Sequence, residues 1–191
     1  MNNDEVLKIF RSSGALLEGH FILTSGRHSA SYFQCAKVLQ HPEYLTKFAS
    51  VIVDEFKLKK INAVIAPAIG GIVIGTEVGR QLGVRTIFAE RKDGRMKLRR
   101  GFEIRNNENV LVVEDVITTG GSVAEVLDLV KASDGKAAGL ALIVDRSDGI
   151  IKLHDHQFAI LRYKAISYEE HEVPTDLRSI PINKPGSRDS I

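Results

Sequence analysis

Val110–Ser122 reads VLVVEDVITTGGS. Its first four residues are apolar and mostly β-branched, and two carboxylates, Glu114 and Asp115, follow at once. A run apolar at every position marks a strand covered on both faces, as in the parallel sheets of α/β proteins. Ligands of such sheets bind beyond the C-terminal ends of the strands, which is where the two acids fall. Thr118-Thr119-Gly120-Gly121-Ser122 then leads into a helix-like stretch, Ser122–Ala132. Gly120 and Gly121 let backbone approach a ligand closely, the helix start offers unpaired N–H groups, and three hydroxyls add donors. Together these make an anion pocket of monophosphate size. Side chains alternate along a strand, so Glu114 and Asp115 are expected on opposite faces, badly placed to clamp one metal ion together. They suit two neighbouring hydroxyls, as on a ribose, or metal-bound waters. A phosphate pocket beside a diol reader describes a site for ribose 5-phosphate. The same string also suits a plain capped turn between strand and helix; the immediate succession of buried strand, twin acids, twin threonines and Gly-Gly-Ser favours the site. Neither the Walker A nor the dinucleotide glycine pattern occurs, which sets nucleoside triphosphates and NAD behind.

Outward from this stretch, short β-branched runs alternate with helix-like segments, the pattern of an α/β fold with a mostly parallel sheet flanked by helices. Strands are expected at Ala63–Ala66, Arg85–Ala89, Val110–Glu114, Leu140–Val144 and Phe158–Leu161. Helices are expected at Pro42–Phe56, Gly71–Leu82 and Ser122–Ala132; the first places Leu45, Phe48, Ala49, Ile52 and Phe56 at helical spacing. Residues 91–105 break the alternation, with seven basic side chains against Asp93 and Glu103. A polar stretch of that length between buried strands reads as a functional loop or a hairpin excursion. The division that follows is one domain over 1–191, with a core at about 36–150. A small hood comes from about 1–35 and 150–183, and 184–191 form a tail.

The 191 residues are 43% hydrophobic and 26% charged, an ordinary soluble composition for one packed domain. No apolar run approaches the roughly 18–20 residues of a bilayer span, so no membrane partner is expected. A net charge of +2 gives no ground for nucleic-acid binding unless a basic site is local. The acidic N-terminus lacks the layout of a secretory signal and Cys35 is the single cysteine, so the expected location is cytoplasmic.

VLVVEDVITTGGS resembles the phosphoribosyl-pyrophosphate (PRPP) signature of the type I phosphoribosyltransferases. Three further segments resemble the orotate phosphoribosyltransferase family in particular. Phe21–Phe33, FILTSGRHSASYF, is similar to its N-terminal Leu-x-Ser-Gly block; Ala66–Ile72, APAIGGI, to its pyrophosphate loop; and Glu90–Phe102, ERKDGRMKLRRGF, to its mobile catalytic loop. Asp145-Arg146 stands where the family places a base-binding arginine, and Lys184-Pro185-Gly186-Ser187-Arg188 is similar to the ending of some members. The matches run in the family's order from about residue 18 to 147. Thr24 and Gly70 depart from lysines that some members carry, and Glu114 replaces a commoner Asp.

The resemblance implies a type I phosphoribosyltransferase fold and transfer of the 5-phosphoribosyl group from PRPP to orotate, a step of pyrimidine biosynthesis. It implies Lys92, Glu114 and Asp115 as catalytic residues. PRPP would be bound by Arg91, Lys92, Arg95, Lys97, Glu114, Asp115, Val116, Ile117, Thr118, Thr119, Gly120, Gly121 and Ser122. Ala68, Ile69, Gly70 and Gly71 would form the pyrophosphate loop, and Thr118, Arg146, Tyr32 and Phe33 would bind orotate. Mg²⁺ would be the cofactor, held mainly by PRPP and water rather than by protein ligands. The implied assembly is a homodimer whose active sites are shared through residues 91–105. Two alternatives stand beside this reading: transfer to another base, and a PRPP-sensing regulator that binds nucleic acid through the basic loop. His154 and His156 lack a third zinc ligand nearby, His20 and His28 lack a nucleophile, and Cys35 reads as a buried, inert thiol.

Overall fold

The computed structural model describes residues 1–23 and 26–185. Thr24 and the tail residues Gly186, Ser187 and Arg188 lie outside them. In chain order the elements are α1 (Asn3–Ser12), β1 (Leu16–Ile22), β2 (His28–Phe33), α2 (Cys35–Leu39), α3 (Pro42–Phe56), β3 (Ala63–Pro67), α4 (Gly70–Leu82), β4 (Arg85–Lys92) and β5 (Arg95–Leu98). They continue with β6 (Asn109–Ile117), α5 (Gly121–Ala132), β7 (Lys136–Asp145), β8 (Gln157–Arg162), β9 (Ser167–Tyr168), α6 (Thr175–Arg178) and β10 (Ile182–Asn183).

Six strands form the main sheet in the order β5-β4-β3-β6-β7-β8, parallel throughout except for the β5 edge. Every expected strand and helix is present, extended by a few residues at most. The apolar strand of the signature explains the layering. Leu111 and Val113 point to one face of the sheet, into a core shared with Val6, Phe10, Phe48, Ile52, Ile74 and Ile143. Val110 and Val112 point to the other, where α5 brings Val123, Val126 and Val130. With both faces dry, no polar residue is tolerated until Glu114, where β6 has passed its last pairing with β3 at Val112.

Local chemistry sets the element ends. At α1 the Glu5 N–H donates to Asn2 Oδ1 (2.9 Å) and the Asn2 N–H to Glu5 Oε2 (3.2 Å), a reciprocal cap on orphan helix donors. α4 stops at Gly83, whose φ of 68° closes the last turn without a Cβ penalty.

A second, four-stranded sheet in the order β10-β1-β2-β9 joins the N- and C-terminal segments into the hood. Inside it His20 Nε2 and His28 Nδ1 lie 2.7 Å apart, both rings buried. The hood is smaller than its expected residue range. β8 falls within 150–183 yet pairs parallel with β7 in the main sheet, and Val6 and Phe10 of α1 are fully buried in the main core. The apolar run Phe158–Leu161 gains more by covering the sheet edge than by joining a half-exposed hood.

Candidate active site

The loop after β6 is built for an anion. Gly120 has φ 75° at the position preceding α5, and a Cβ there would stand 2.7 Å from Leu153 Cδ1 and 3.1 Å from Ile151 Cγ2. Conformation and space both demand glycine. The first helical bond runs from the Ala124 N–H to Gly120 O (2.9 Å), and no side chain caps the helix. The N–H groups of the first turn therefore face the loop mouth, with Thr118 and Thr119 exposed beside them.

The acids correct the expectation of opposite faces. A Cβ at Gly70 would lie 2.5 Å from Asp115 Oδ2, and one at Gly71 2.8 Å from Glu114 Oε1. Both carboxylates thus gather against the first turn of α4. The reason is the staggered end of the sheet. β3 pairs with β6 only as far as Val112, and beyond it the place of a neighbouring strand is taken by the Gly70–Gly71 backbone. On its other side β6 stays paired with β7 as far as Ile117, so both acids remain in the strand and their carboxylates meet over the edge that β3 leaves open. Glu114 Oε1 accepts from the Asp115 N–H (3.0 Å), and Asp115 Oδ1 from the Val116 N–H (2.8 Å). Burial, then the adjacent Asp115 charge, pushes the Glu114 carboxyl well above the usual carboxylate range; burial raises Asp115 as well. Both shifts have the same leading cause, two carboxylates crowded together out of water. Gly70, having no Cβ, is the residue that leaves room for Asp115.

The expected pyrophosphate loop, Ala68–Gly71, runs from β3 to α4 beside these acids. The Ala68 N–H donates to Ala89 O (2.8 Å), tying it to β4, while Ile69 is 71% exposed. Residues 91–98 form a hairpin. Asp93 and Gly94 make its two-residue turn, both with positive φ (51° and 77°), the geometry that matches strand twist. Arg91 donates from Nη2 to Glu125 Oε1 (2.8 Å) and lies 3.5 Å from Ser122 Oγ of the phosphate loop. Lys97 pairs with Asp93 (3.0 Å) and Arg100 with Glu90 (2.9 Å), whereas Lys92 and Arg95 stand exposed at the tip.

Arg146 follows β7. It is 6% exposed; Nη2 donates to Ser31 O (3.1 Å) and Ser29 Oγ (3.3 Å), and its buried Nε has no partner among the described residues. Burial lowers the guanidinium from its ordinary value. Tyr32 is half-buried nearby, its hydroxyl pushed up by burial and then by the Asp115 charge. Cys35 is 1% exposed, and burial followed by Asp115 and Glu114 raises the thiol well above its usual value, so it is a poor nucleophile.

Phe33 is a correction. Its side chain is 2% exposed and packs edge-on to Phe10 (5.3 Å) and Tyr163 (4.9 Å) in the main core. Alternation along β2 sends Tyr32 toward the cleft and Phe33 away from it, so the Phe33 ring cannot stack on a ligand. The side chains of His154 and His156 turn to different partners, Ala137 O and Glu55. Ser29 and Glu125 were not singled out in the sequence. Ser29 lies inside the quoted N-terminal block, and Glu125 sits one helical turn beyond Ser122, spacing that places both on one helix face.

Residues 35–176 match the family described as the phosphoribosyl transferase domain. The chain is 61% identical to the orotate phosphoribosyltransferase of Chlorobaculum parvum (strain DSM 263 / NCIMB 8327), over 98% of this chain and 97% of that protein. It is 50% identical to the orotate phosphoribosyltransferase of Thermoanaerobacter sp. (strain X514), over 98% and 99%. Among solved structures, the orotate phosphoribosyltransferase of Aeropyrum pernix superposes with a TM-score of 0.73 at 22% identity, covering 83% of this chain and 94% of that one. The adenine phosphoribosyltransferase of Thermoanaerobacter pseudethanolicus superposes with a TM-score of 0.62 at 15% identity, covering 70% and 88%. The fold is therefore shared by enzymes for different bases.

Proposed function

The chain belongs to the phosphoribosyl transferase domain family, and from that premise we infer how its residues divide the work. It transfers the 5-phosphoribosyl group from PRPP to orotate, giving orotidine 5′-monophosphate and pyrophosphate. In this reaction the bond from ribose C1 to the pyrophosphate oxygen breaks and a bond from C1 to the orotate nitrogen forms. Positive charge develops on the ribose and negative charge on the departing pyrophosphate. Little covalent work falls to the protein, so positioning and electrostatics carry catalysis.

In the arrangement we propose, the first-turn N–H groups of α5, with Thr118, Thr119 and Ser122, hold the 5-phosphate. Glu114 and Asp115 accept from the ribose hydroxyls and face the developing cation. Arg91, Lys92, Arg95 and Lys97 neutralise the pyrophosphate, with Ala68–Gly71 beneath it. Arg146 and Tyr32 receive orotate. The observation that carries this assignment is the buried Arg146 with its unpartnered Nε, since a buried guanidinium without a carboxylate calls for an anionic ligand. Orotate differs from uracil by one such carboxylate.

A divalent cation fits the acid pair, whose raised carboxyls mark crowded negative charge. Among the described residues no three ligating side chains converge, so Glu114 and Asp115 would hold Mg²⁺ mainly through water, with the remaining ligands coming from PRPP. Bound there, Mg²⁺ supplies charge neutralisation to the leaving pyrophosphate. A cytoplasmic location belongs to the same proposal, supported by the single unpaired cysteine. No helix among the described residues is long and apolar enough to cross a membrane.

A panel of orotate, uracil, hypoxanthine and adenine with PRPP and Mg²⁺ tests the base assignment. Pyrophosphate release is expected with orotate alone; turnover of another base without orotate would overturn it.

We also propose a homodimer in which the hairpin tip serves the neighbouring site. Support comes from strand alternation: Arg91 faces its own α5, so Lys92 points away from it. Lys92→Ala disables the tip and Asp115→Asn the pocket, so each homodimer should be nearly inactive. After dissociation, mixing and reassociation, about half the dimers are mixed and up to about a quarter of all sites should regain wild-type activity. No recovery, with exchange of subunits verified, would defeat sharing.

A further inference from the structure

Arg91 of the hairpin is tied to the helix that opens from the phosphate loop, and the carboxylate of Glu125 makes the shorter of its contacts there. Glu125 lies in the first turns of α5. Its Oε1 accepts from Arg91 Nη2 (2.8 Å) on β4, while Oε2 accepts from the backbone N–H of Met96 (2.7 Å) on β5. That N–H lies on the open edge of the main sheet, where it has no strand to pair with. The Met96 side chain is 5% exposed and packs in the same core layer as Val123 and Val126 of α5. Arg91 in turn donates from Nη1 to Gly94 O (2.6 Å) in the hairpin turn and reaches Ser122 Oγ at 3.5 Å. One side chain thus touches both strands of the hairpin and, through Arg91, its turn.

We propose that Glu125 is a positioning residue for PRPP binding: its carboxylate docks the hairpin on α5 and so fixes where Arg91 stands when PRPP arrives. The proposal rests on the reading of Arg91 as a PRPP ligand given above. An apolar anchor alone, Met96, lets the hairpin rock about the strand axis, because dispersion contacts have little directionality. Two charge-assisted bonds to opposite strands remove that freedom before PRPP arrives, so less ordering remains to be done on binding. Glu125 touches no reacting atom in this scheme.

The test measures Glu125→Gln, Glu125→Ala, Arg91→Ala and the Glu125→Ala/Arg91→Ala double variant in the full-length enzyme. Glu125→Ala should raise KM for PRPP about five- to tenfold and leave KM for orotate within about twofold. Glu125→Gln, which keeps an acceptor for Met96 but loses the charge, should fall between wild type and Ala. The double variant should be no worse than Arg91→Ala alone, since Glu125 acts on PRPP through Arg91. In ligand-free enzyme the Met96 amide should exchange hydrogen faster in Glu125→Ala, with the melting temperature nearly unchanged. Equal rises in both KM values with a lowered melting temperature would mean a merely structural role and overturn the proposal. Unchanged PRPP KM in Glu125→Ala, with Arg91→Ala impaired, would overturn it while sparing the Arg91 assignment. Unchanged PRPP KM in Arg91→Ala would overturn that assignment and the positioning role with it.

Discussion

Asp115→Asn is expected to lower kcat on the order of 100-fold while changing PRPP affinity by less than about threefold. The substitution preserves volume and so keeps the side chain in its place against Gly70, where a Cβ would stand 2.5 Å from Asp115 Oδ2. It removes one negative charge facing the ribose, and that charge is worth most when C1 turns cationic. A contact that strengthens in the transition state shows in turnover rather than in ground-state binding. A second signature follows from the paired carboxyls. Asp115 contributes to holding the Glu114 carboxyl high, so its neutralisation lets Glu114 ionise at lower pH. The acid limb of kcat/KM should therefore move downward in pH, even as the plateau falls. Steady-state kinetics and a pH profile check both parts, with calorimetry confirming an intact fold. Unchanged kcat would remove Asp115 from the ribose.

Arg146→Ala is expected to weaken orotate and spare PRPP. A charge-assisted contact in a buried setting is worth about 1.5–3 kcal/mol, or roughly 10- to 150-fold in orotate affinity. In the proposed arrangement PRPP is held by other residues, so its KM should stay within about twofold. Stability should change little: the variant deletes a buried charge that burial disfavours, at the expense of the donors now offered to Ser31 O and Ser29 Oγ. Arg146→Lys should not restore orotate binding, because an ammonium cannot keep both the Ser31 carbonyl and a ligand carboxylate in a planar fork. If Arg146→Ala raised KM for PRPP and not for orotate, the assignment of the base end would be wrong.

The two substitutions probe ends of the cleft that differed in how legible they were. Phosphate-loop chemistry is written in consecutive residues. Gly120 is glycine because αL geometry and Leu153 leave no alternative, and hydroxyls next to a helix start stay near it in any fold. The hairpin, one of two readings the polar run allowed, is also local: Asp93-Gly94 favours the positive-φ turn found there. The base end joins residues more than a hundred positions apart, Ser29 and Ser31 to Arg146. Only the resemblance to a family brought Arg146 forward, and nothing in the sequence marked Ser29 as its partner.

By itself, the sequence determined the elements and their layering. Continuous apolar runs and helical spacing are properties of neighbouring residues, and burial on both faces of β6 follows from VLVV without knowledge of what covers it. Tertiary structure alone decided which way the decisive side chains turn. Glu114 and Asp115 meet because β3 loses contact with β6 after Val112 and the Gly70–Gly71 backbone fills the gap on that side, while β6 stays paired with β7 to Ile117. Phe33 faces Phe10 and Tyr163 rather than the cleft because the hood strand β2 meets the core with one face only. Glu125 reaches the hairpin because β5 returns antiparallel along the sheet edge above α5. In each case the outcome depends on where one element ends against another, a relation between distant parts of the chain that no local pattern encodes.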